Sequence, residues 1–143
     1  MGYRRLTVKQ YLNQIQDCRK RIKEKQEQIE QKRILAESIT ASANDVKVQS
    51  SGDYDKMAAA VANIVDMESE LQVMINEYLA AEKVISAQID AVDRPLEREV
   101  LHWRYVCGKT FEETSVIIGK TYRHTTRIHG LALKNFREKY KIR

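Results

Sequence analysis

The side chains between residues 121 and 137 have the types and the spacing to bind a flat, negatively charged surface. Lysine and arginine bind phosphate oxygens, and hydroxyl, imidazole and guanidinium groups hydrogen-bond the polar edges of bases. Residues 119–143 hold eight Lys/Arg and a single acidic residue, Glu138. The candidate binding residues are Thr121, Tyr122, Arg123, His124, Thr126, Arg127, Lys134 and Arg137.

Two short sequence signals predict the helices that position these residues. Thr110 and Glu113 have the spacing of a capping box, which indicates a helix start. Gly119 then predicts a tight turn, and Thr121 is a suitable cap for a second helix over residues 122–140. The buried side of that helix would consist of Ile128, Ala132, Leu133 and Phe136, with Phe111 and Ile118 facing it from the first helix.

A short helix, a turn and a basic second helix together are typical of a helix-turn-helix. In that motif the first residues of the second helix reach base edges in the major groove, and nearby basic residues bind phosphate. We therefore expect double-stranded DNA as the partner. Arg123, Thr126 and Arg127 lie in the stretch that reads bases, and Lys134 and Arg137 lie further along the same face.

The preceding residues 95–107 predict a third helix of the same module. Pro95 favours the first turn of a helix, and Gly108 ends it. Trp103 and Tyr105 are expected to fill the core of a three-helix module. We expect Phe136 and Ile128 of the second, basic helix to pack against Trp103 and Phe111.

This segment resembles region 4 of bacterial sigma factors. The resemblance is carried by Glu97 to Tyr105 (EREVLHWRY), by Thr110 to Glu113 (TFEE), by Ile118-Gly119, and by Arg127 to Lys134 (RIHGLALK). With a helical hairpin before it, the chain is similar to small Gram-positive phage proteins of the late-transcription-regulator type. The resemblance implies binding of a promoter-like duplex and contact with RNA polymerase.

The chain also departs from the region 4 pattern. Thr114 and Ser115 stand where that family prefers Ile-Ala, and Thr125 stands where it prefers Val. Val116 and Ile117 are apolar where polar residues are usual. We interpret these two as residues that pack against the hairpin or against a second subunit.

The N-terminal two thirds of the chain predict two long helices. Residues 7–40 start with a Thr7/Gln10 capping box and carry an apolar residue every seven positions, from Val8 to Ala36. Residues 41–54 are expected to break the helix. From residue 57 to 92 a second heptad repeat follows: Met57, Val61, Ile64, Glu68, Leu71, Ile75, Tyr78, Glu82, Ile85, Ile89 and Val92.

Charge spacing indicates how these helices pair. Arg19 and Arg33 are fourteen residues apart, as are Glu68 and Glu82, so a chain folded back at Gly52 brings Arg19 beside Glu82 and Arg33 beside Glu68. This favours an antiparallel coiled-coil hairpin within one chain. The alternative is that each helix pairs with another chain as a homodimer.

The charge distribution points to the C-terminal module as the part that faces a polyanion. The net charge is +6 over residues 1–33, −7 over residues 34–92 and +6 over residues 93–143. The first two segments can neutralise each other within a hairpin. The third is left to attract a negatively charged partner.

The sequence does not favour a metalloprotein, an enzyme or a membrane protein. His102, His124 and His129 lack the spacing of a metal site, so a structural or phosphate-contacting role is expected, with no metal and no cofactor. No phosphate loop, nucleophile motif or paired-carboxylate site appears, so we expect no enzyme. Cys18 and Cys107 are far apart, and no apolar run is long enough for a membrane span, so a cytoplasmic protein is expected.

The sequence therefore predicts an all-α protein of two domains. Residues 1–92 would form the coiled-coil hairpin, and residues 93–143 the sigma region 4-like helix-turn-helix. The predicted function is sequence-specific DNA binding that regulates transcription, in phage or prophage genes. Two alternatives remain: a DNA-packaging recognition subunit of the small-terminase type, and a module that binds polymerase or its sigma factor without touching DNA.

Overall fold

The computed structural model describes residues 6–45 and 51–142, without the side chains of residues 42–45, 51 and 53. Within these residues the chain is all-helical. The helices are α1 (Val8–Asp45), α2 (Ser51–Asp90), α3 (Pro95–Leu101), α4 (Phe111–Ile118) and α5 (Tyr122–Tyr140), with a π-helical segment, His102–Val106, after α3. The prediction of an all-α fold that begins with a helical hairpin is confirmed.

The hairpin helices are longer than the sequence predicted. The Thr7 hydroxyl accepts from the Gln10 amide at 3.2 Å, and the Gln10 side chain accepts from the Thr7 amide at 2.9 Å, so the predicted capping box starts α1. The expected break over 41–54 is wrong at both ends, because α1 continues to Asp45 and α2 includes Gly52. Gly52 is therefore not the point of chain reversal, and residues 46–50 lie outside the described residues.

The described residues form two compact units. The first unit comprises residues 6–17 and 78–142, and the second comprises residues 18–45 and 51–77. Each unit contains parts of both α1 and α2. The division thus falls at different positions from the predicted domain boundary between residues 92 and 93, which stays a prediction.

In the second unit, α1 and α2 pair in opposite directions. Lys25 bonds Glu70 at 2.8 Å, and Arg33 bonds Glu68 as the charge spacing predicted. The Arg33–Glu68 pair is about half exposed on both sides, so it adds little to stability and is not a buried pair. The Arg19–Glu82 pairing stays a prediction.

The heptad prediction for α2 needs a correction in this unit. Val61 and Glu68, predicted to face α1, are exposed. Ala60, Met67 and Met74 are half-buried instead, together with Met57, Ile64 and Leu71. The inward face of α2 therefore lies to one side of the predicted row. The physical reason is that residues 57–62 (MAAAVA) are all apolar, so hydrophobicity alone did not fix the rotation of the helix.

The first unit has a dense core to which all of its helices but α4 contribute. Leu12 and Ile15 come from α1, and Ile85, Ile89 and Val92 from α2; these meet Leu101, Tyr105, Ala132 and Phe136. The N-terminal end of α1 and the C-terminal end of α2 are therefore part of the same core as α5. Across them Tyr11 also donates a hydrogen bond to Gln88 at 2.5 Å.

Side chains from later helices bond carbonyls near the end of α2 and in the two residues that follow it. The carbonyl of Gln88 accepts from the Tyr140 hydroxyl at 3.1 Å, and that of Ala91 accepts from the Lys139 ammonium at 2.6 Å. The carbonyl of Val92 accepts from Arg98 at 3.0 Å. Because a helix end leaves its carbonyls without helical partners, these bonds attach the end of α2 to α3 and α5.

The helix predicted over residues 95–107 is α-helical only to Leu101 and then becomes π-helical. The Cys107 amide bonds the carbonyl of His102 at 3.0 Å, five residues back. Gln16 of α1 donates to the carbonyls of Tyr105 and Val106 at 3.0 and 3.1 Å. None of the helices in the described part of the chain has the length and apolar composition that a membrane span needs.

Candidate nucleic-acid interface

Both predicted caps around the α4–α5 turn are present. The Thr110 hydroxyl accepts from the Glu113 amide at 3.1 Å, and the Glu113 carboxylate accepts from the Thr110 amide at 3.3 Å. Gly119 ends α4 with φ 67°, a left-handed conformation that a residue with a Cβ adopts only under strain. Thr121 then accepts from the His124 amide at 3.1 Å and starts α5. The turn thus comprises three residues.

A buried histidine joins α5 to the π-helical segment. The Tyr105 hydroxyl and His129 Nε2 are 2.7 Å apart, and both side chains are almost fully buried. Burial is the main cause that lowers the pKa of His129 to about 4, and the cations Arg104 and Lys9 lower it further. Burial also raises the pKa of Tyr105 to about 12. His129 is therefore neutral and structural, which rules out a phosphate contact for this histidine at neutral pH.

Aromatic and polar contacts fix α5 further. The Phe111 ring of α4 meets the His129 ring edge to face at 4.8 Å, and the Arg104 guanidinium lies 4.1 Å above Phe111. The Asn135 amide donates to both oxygens of the buried Glu97 carboxylate at 3.0 and 3.1 Å. These contacts tie α5 to α3, α4 and the π-helical segment, so its outer face is held in a defined orientation.

The core prediction for α5 is partly confirmed. Ile128, Ala132 and Phe136 are buried, and Leu133 is half-buried. Phe136 packs near Tyr11 and Tyr140, with ring centroids 6.3 and 4.7 Å away, rather than on Trp103. Trp103 is only half-buried, because the π-helical turn makes Tyr105 the residue that points into the core.

A row of free cations covers the outer face of α5. Arg123, Arg127, Lys134 and Arg137 are all exposed, and in the parts of the chain that are described none of them forms an ion pair. With Gly130 they follow one another in alternating steps of four and three, so they share one face of the helix. The predicted cations are thus brought together and left available to a partner.

The remaining candidate residues have different surroundings. Thr121 is engaged as the helix cap, and the half-buried Thr126 donates its hydroxyl to the carbonyl of Arg123 at 2.9 Å. Tyr122 is half exposed and packs its ring edge to face on Phe111 at 6.2 Å. His124 lines a shallow apolar groove between α3 and α5, together with Leu96, Ile128 and Leu131. It lies beside the cationic row and not within it.

The outer face of α4 is acidic and apolar, unlike the cationic outer face of α5. Glu112 and Glu113 are exposed, and hydrogen bonds from the backbone and side chain of Thr110 are the main cause that lowers the pKa of Glu113. Val116 is 81% exposed and Ile117 is 45% exposed. The expectation that these two pack against the hairpin is wrong for the described residues, and packing on a second subunit stays a prediction. The acidic and apolar outer face of α4 thus contrasts with the cationic outer face of α5.

Sequence reasoning missed two residues that shape this interface. Gln16 supports the π-helical segment from α1, and no local pattern marks such a long-range contact. Gly130 lies within the cationic row, and no atom lies within 4 Å of the position that a Cβ would take there. A glycine inside an exposed helix reduces the stability of that helix, so the glycine between Arg127 and Lys134 was a readable signal that the backbone is left uncovered there.

The described residues contain no group of three or more potential metal ligands. The geometry of the first unit is thus that of a capped helix pair that displays cations on its second helix.

Compared with protein-family models, with curated proteins and with solved structures, the chain shows no match. The functional argument therefore rests on this geometry and on the sequence.

Proposed function

We propose that this chain binds double-stranded DNA in a sequence-specific manner and regulates transcription. The observation that carries the proposal is the exposed row of Arg123, Arg127, Lys134 and Arg137 on α5, with no acidic partner among the described residues. Four unpaired cations on one rigid helix face fit the regular phosphates of a duplex.

The direction of α5 supports a division of roles along the row. Arg123 and Arg127 lie near the N-terminal end of α5, which is the part that reaches base edges in helix-turn-helix proteins. Lys134 and Arg137 lie two to three turns further on, where phosphate contact is the natural role. The resemblance to sigma region 4 directs the proposal to promoter-like duplexes of phage or prophage genes.

Salt titration of duplex binding tests this proposal. The logarithm of the association constant should fall with the logarithm of salt concentration, with a slope of about −0.9 per phosphate neutralised. Lys134→Ala should weaken binding to all sequences alike and make that slope shallower by about one unit. Lys23→Ala is the matched control, since it removes the same charge from an exposed position on α1.

Arg127→Ala should behave differently from Lys134→Ala. If Arg127 reads guanine, its loss should cost about 1–3 kcal/mol on the preferred site and leave binding to random duplex nearly unchanged. Equal losses on both duplexes would make Arg127 a phosphate contact. No detectable duplex binding by the wild type at low salt would contradict the proposal as a whole.

One observation favours a second candidate function. The exposed Val116 and Ile117 beside Glu112 and Glu113 give α4 an apolar and acidic outer face, which suits a protein partner better than a nucleic acid. A module that binds RNA polymerase or a sigma factor through α4 is therefore the alternative. Ile117→Lys should abolish binding to polymerase in that case, and the wild type should show no duplex binding.

A further inference from the structure

Gly130 lies in the middle of α5, where the fold gives no reason for a glycine. Gly108 and Gly119 have φ values of 70° and 67°, in the region that favours glycine, and a Cβ on Gly108 would meet the Gln16 side chain at 2.6 Å. Gly130 is helical without a positive φ, and no described atom outside its own stretch of helix lies within 4 Å of where its Cβ would be. A residue with a side chain would therefore fit at this position of the folded chain.

The glycine lowers the stability of α5. Glycine is among the least favourable residues in the interior of a helix, because it has the most backbone freedom to lose on folding. Gly130 is the ninth of nineteen residues in α5, so neither end of the helix accounts for it. What a glycine provides here is an uncovered backbone, which a ligand can approach more closely than any side chain would allow.

The neighbours of Gly130 on the outer face are the cations that the proposed function assigns to the duplex. Arg127 precedes it by three residues and Lys134 follows it by four, and both are exposed. Thr126, one turn before Gly130, turns its hydroxyl back to the carbonyl of Arg123 at 2.9 Å. The surface at Gly130 is therefore lower than the long cationic side chains before and after it.

The position of Gly130 along α5 indicates which part of a duplex it would meet. Gly130 lies eight residues after Tyr122, the first residue of α5, so roughly 12 Å of helix separates them at 1.5 Å per residue. The major groove of B-DNA is about 12 Å wide and about 8.5 Å deep. A helix whose first turn reaches base edges therefore arrives at the rim of the groove near Gly130. That rim is the sugar–phosphate backbone of one strand.

We propose that Gly130 is the point at which α5 touches the sugar–phosphate backbone of one DNA strand. Its missing side chain lets the backbone of the helix pack directly against that strand. Arg127 then lies on the side of the contact that faces the base edges, and Lys134 lies on the outer side. This inference rests on the proposed binding of double-stranded DNA and adds to it a residue that sets how closely the helix approaches.

Binding titrations of Gly130→Ala and Gly130→Gln with DNA duplexes test the proposal. Overfilling a well-packed contact should weaken binding by about tenfold for alanine and by about a hundredfold for glutamine. The loss should appear on a random-sequence duplex as well as on the preferred site, because the sugar–phosphate backbone is common to both. The salt dependence should stay that of the wild type, since neither substitution removes a charge.

Stability measurements separate this contact from a structural role of Gly130. Alanine and glutamine both favour helix more than glycine does, so both variants should melt at a higher temperature than the wild type. Weaker binding by a more stable protein does not arise from loss of the fold. Leu131→Gln is the matched control, because it places the same side chain one residue later on α5, at an exposed position beside α3. This variant should bind duplex as the wild type does.

The outcomes distinguish this inference from the proposed function. A wild type that binds duplex, with no weakening in either Gly130 variant, overturns the inference and leaves the proposed function standing. Equal weakening by alanine and glutamine assigns the effect to flexibility of the helix and overturns the contact. A loss confined to the preferred site places base edges at Gly130 and overturns it as well. A wild type that binds no duplex at low salt overturns both.

Discussion

The two units of this chain are stabilised in different ways. In the first unit, nine buried hydrophobic residues form one cluster, and side chains from α1 and α5 bond backbone carbonyls far away in sequence. In the described part of the second unit, Ile29 is the single buried hydrophobic residue, and two exposed ion pairs link the helices.

This difference agrees with the proposed function of the first unit. If that unit reads base edges, its side chains must be fixed to within a fraction of an ångström, and a dense core supplies that precision. A two-helix segment needs only to keep its helices paired, for which half-buried residues suffice. Substitutions should therefore reduce the free energy of unfolding more in the first unit than in the second.

The largest effect is expected at the centre of the first unit. Phe136 is almost fully buried between Tyr11 and Tyr140, so Phe136→Ala should reduce the free energy of unfolding by about 3–5 kcal/mol. Urea denaturation measures the loss. Leu131→Ala, at an exposed position on the same helix, should cost well under half as much. Similar losses for both would show that the core is not where the structure places it.

The pH dependence of stability should also arise in the first unit. His129 has a folded-state pKa of about 4 and an ordinary unfolded-state pKa near 6.5. As pH falls, the unfolded chain therefore binds the proton before the folded chain does. The stability that neutral His129 contributes is complete above pH 6.5 and is lost as pH falls towards 4. The loss amounts to about 3 kcal/mol at most.

Denaturation midpoints between pH 7 and pH 4 check this dependence on His129. His129→Gln should remove much of the slope, whereas His124→Gln, on the exposed surface of α5, should leave it unchanged. A slope that persists in the His129 variant would assign the dependence to other groups.

A smaller effect is expected from the buried residue of the second unit. Ile29→Ala removes the one well-buried contact there, but its half-exposed neighbours can relax, so the loss should be near the lower limit of about 2 kcal/mol for such changes. Amide hydrogen exchange should show the loss in residues 18–40 and 55–77. A uniform loss across both units would mean that they unfold as one body.

The smallest effect is expected at the ion pair between α1 and α2. Arg33→Ala removes a pair that is about half exposed, so stability should change by less than about 1 kcal/mol. Thermal denaturation at low and high salt checks this, and the difference between wild type and variant should shrink as salt rises. A loss of several kcal/mol would show that the pair is far better shielded than its exposure indicates.

Local signals in the sequence predicted much of the first unit. The caps at Thr110 and Thr121, the turn at Gly119 and the bounds of α5 are all confirmed, because each depends on residues within one helical turn. The exposure of Arg123, Arg127, Lys134 and Arg137 is confirmed as well, since helical spacing alone separates them from Ile128 and Phe136.

Features that depend on distant residues were not predictable in the same way. Trp103 and Tyr105 were both expected to fill the core, but the structure buries Tyr105 and leaves Trp103 half-buried at the π-helical turn. This turn is supported by Gln16, about ninety positions earlier. The prediction of the inward face of α2 was wrong for another reason. The apolar residues of α2 surround the helix too evenly for one row to stand out. Whether the exposed cations bind DNA stays a prediction, because exposure shows availability and not the partner.

The π-helical segment makes the chain sensitive to its exact length. A π-helix accommodates one residue more per turn than an α-helix, so deletion of one residue from His102–Val106 could restore regular α-helix without breaking it. The backbone at Tyr105 and Val106 would then follow a different path, and the two carbonyls that Gln16 binds would move away from it. Insertions and deletions should therefore be excluded from these five positions far more strictly than conservative substitutions.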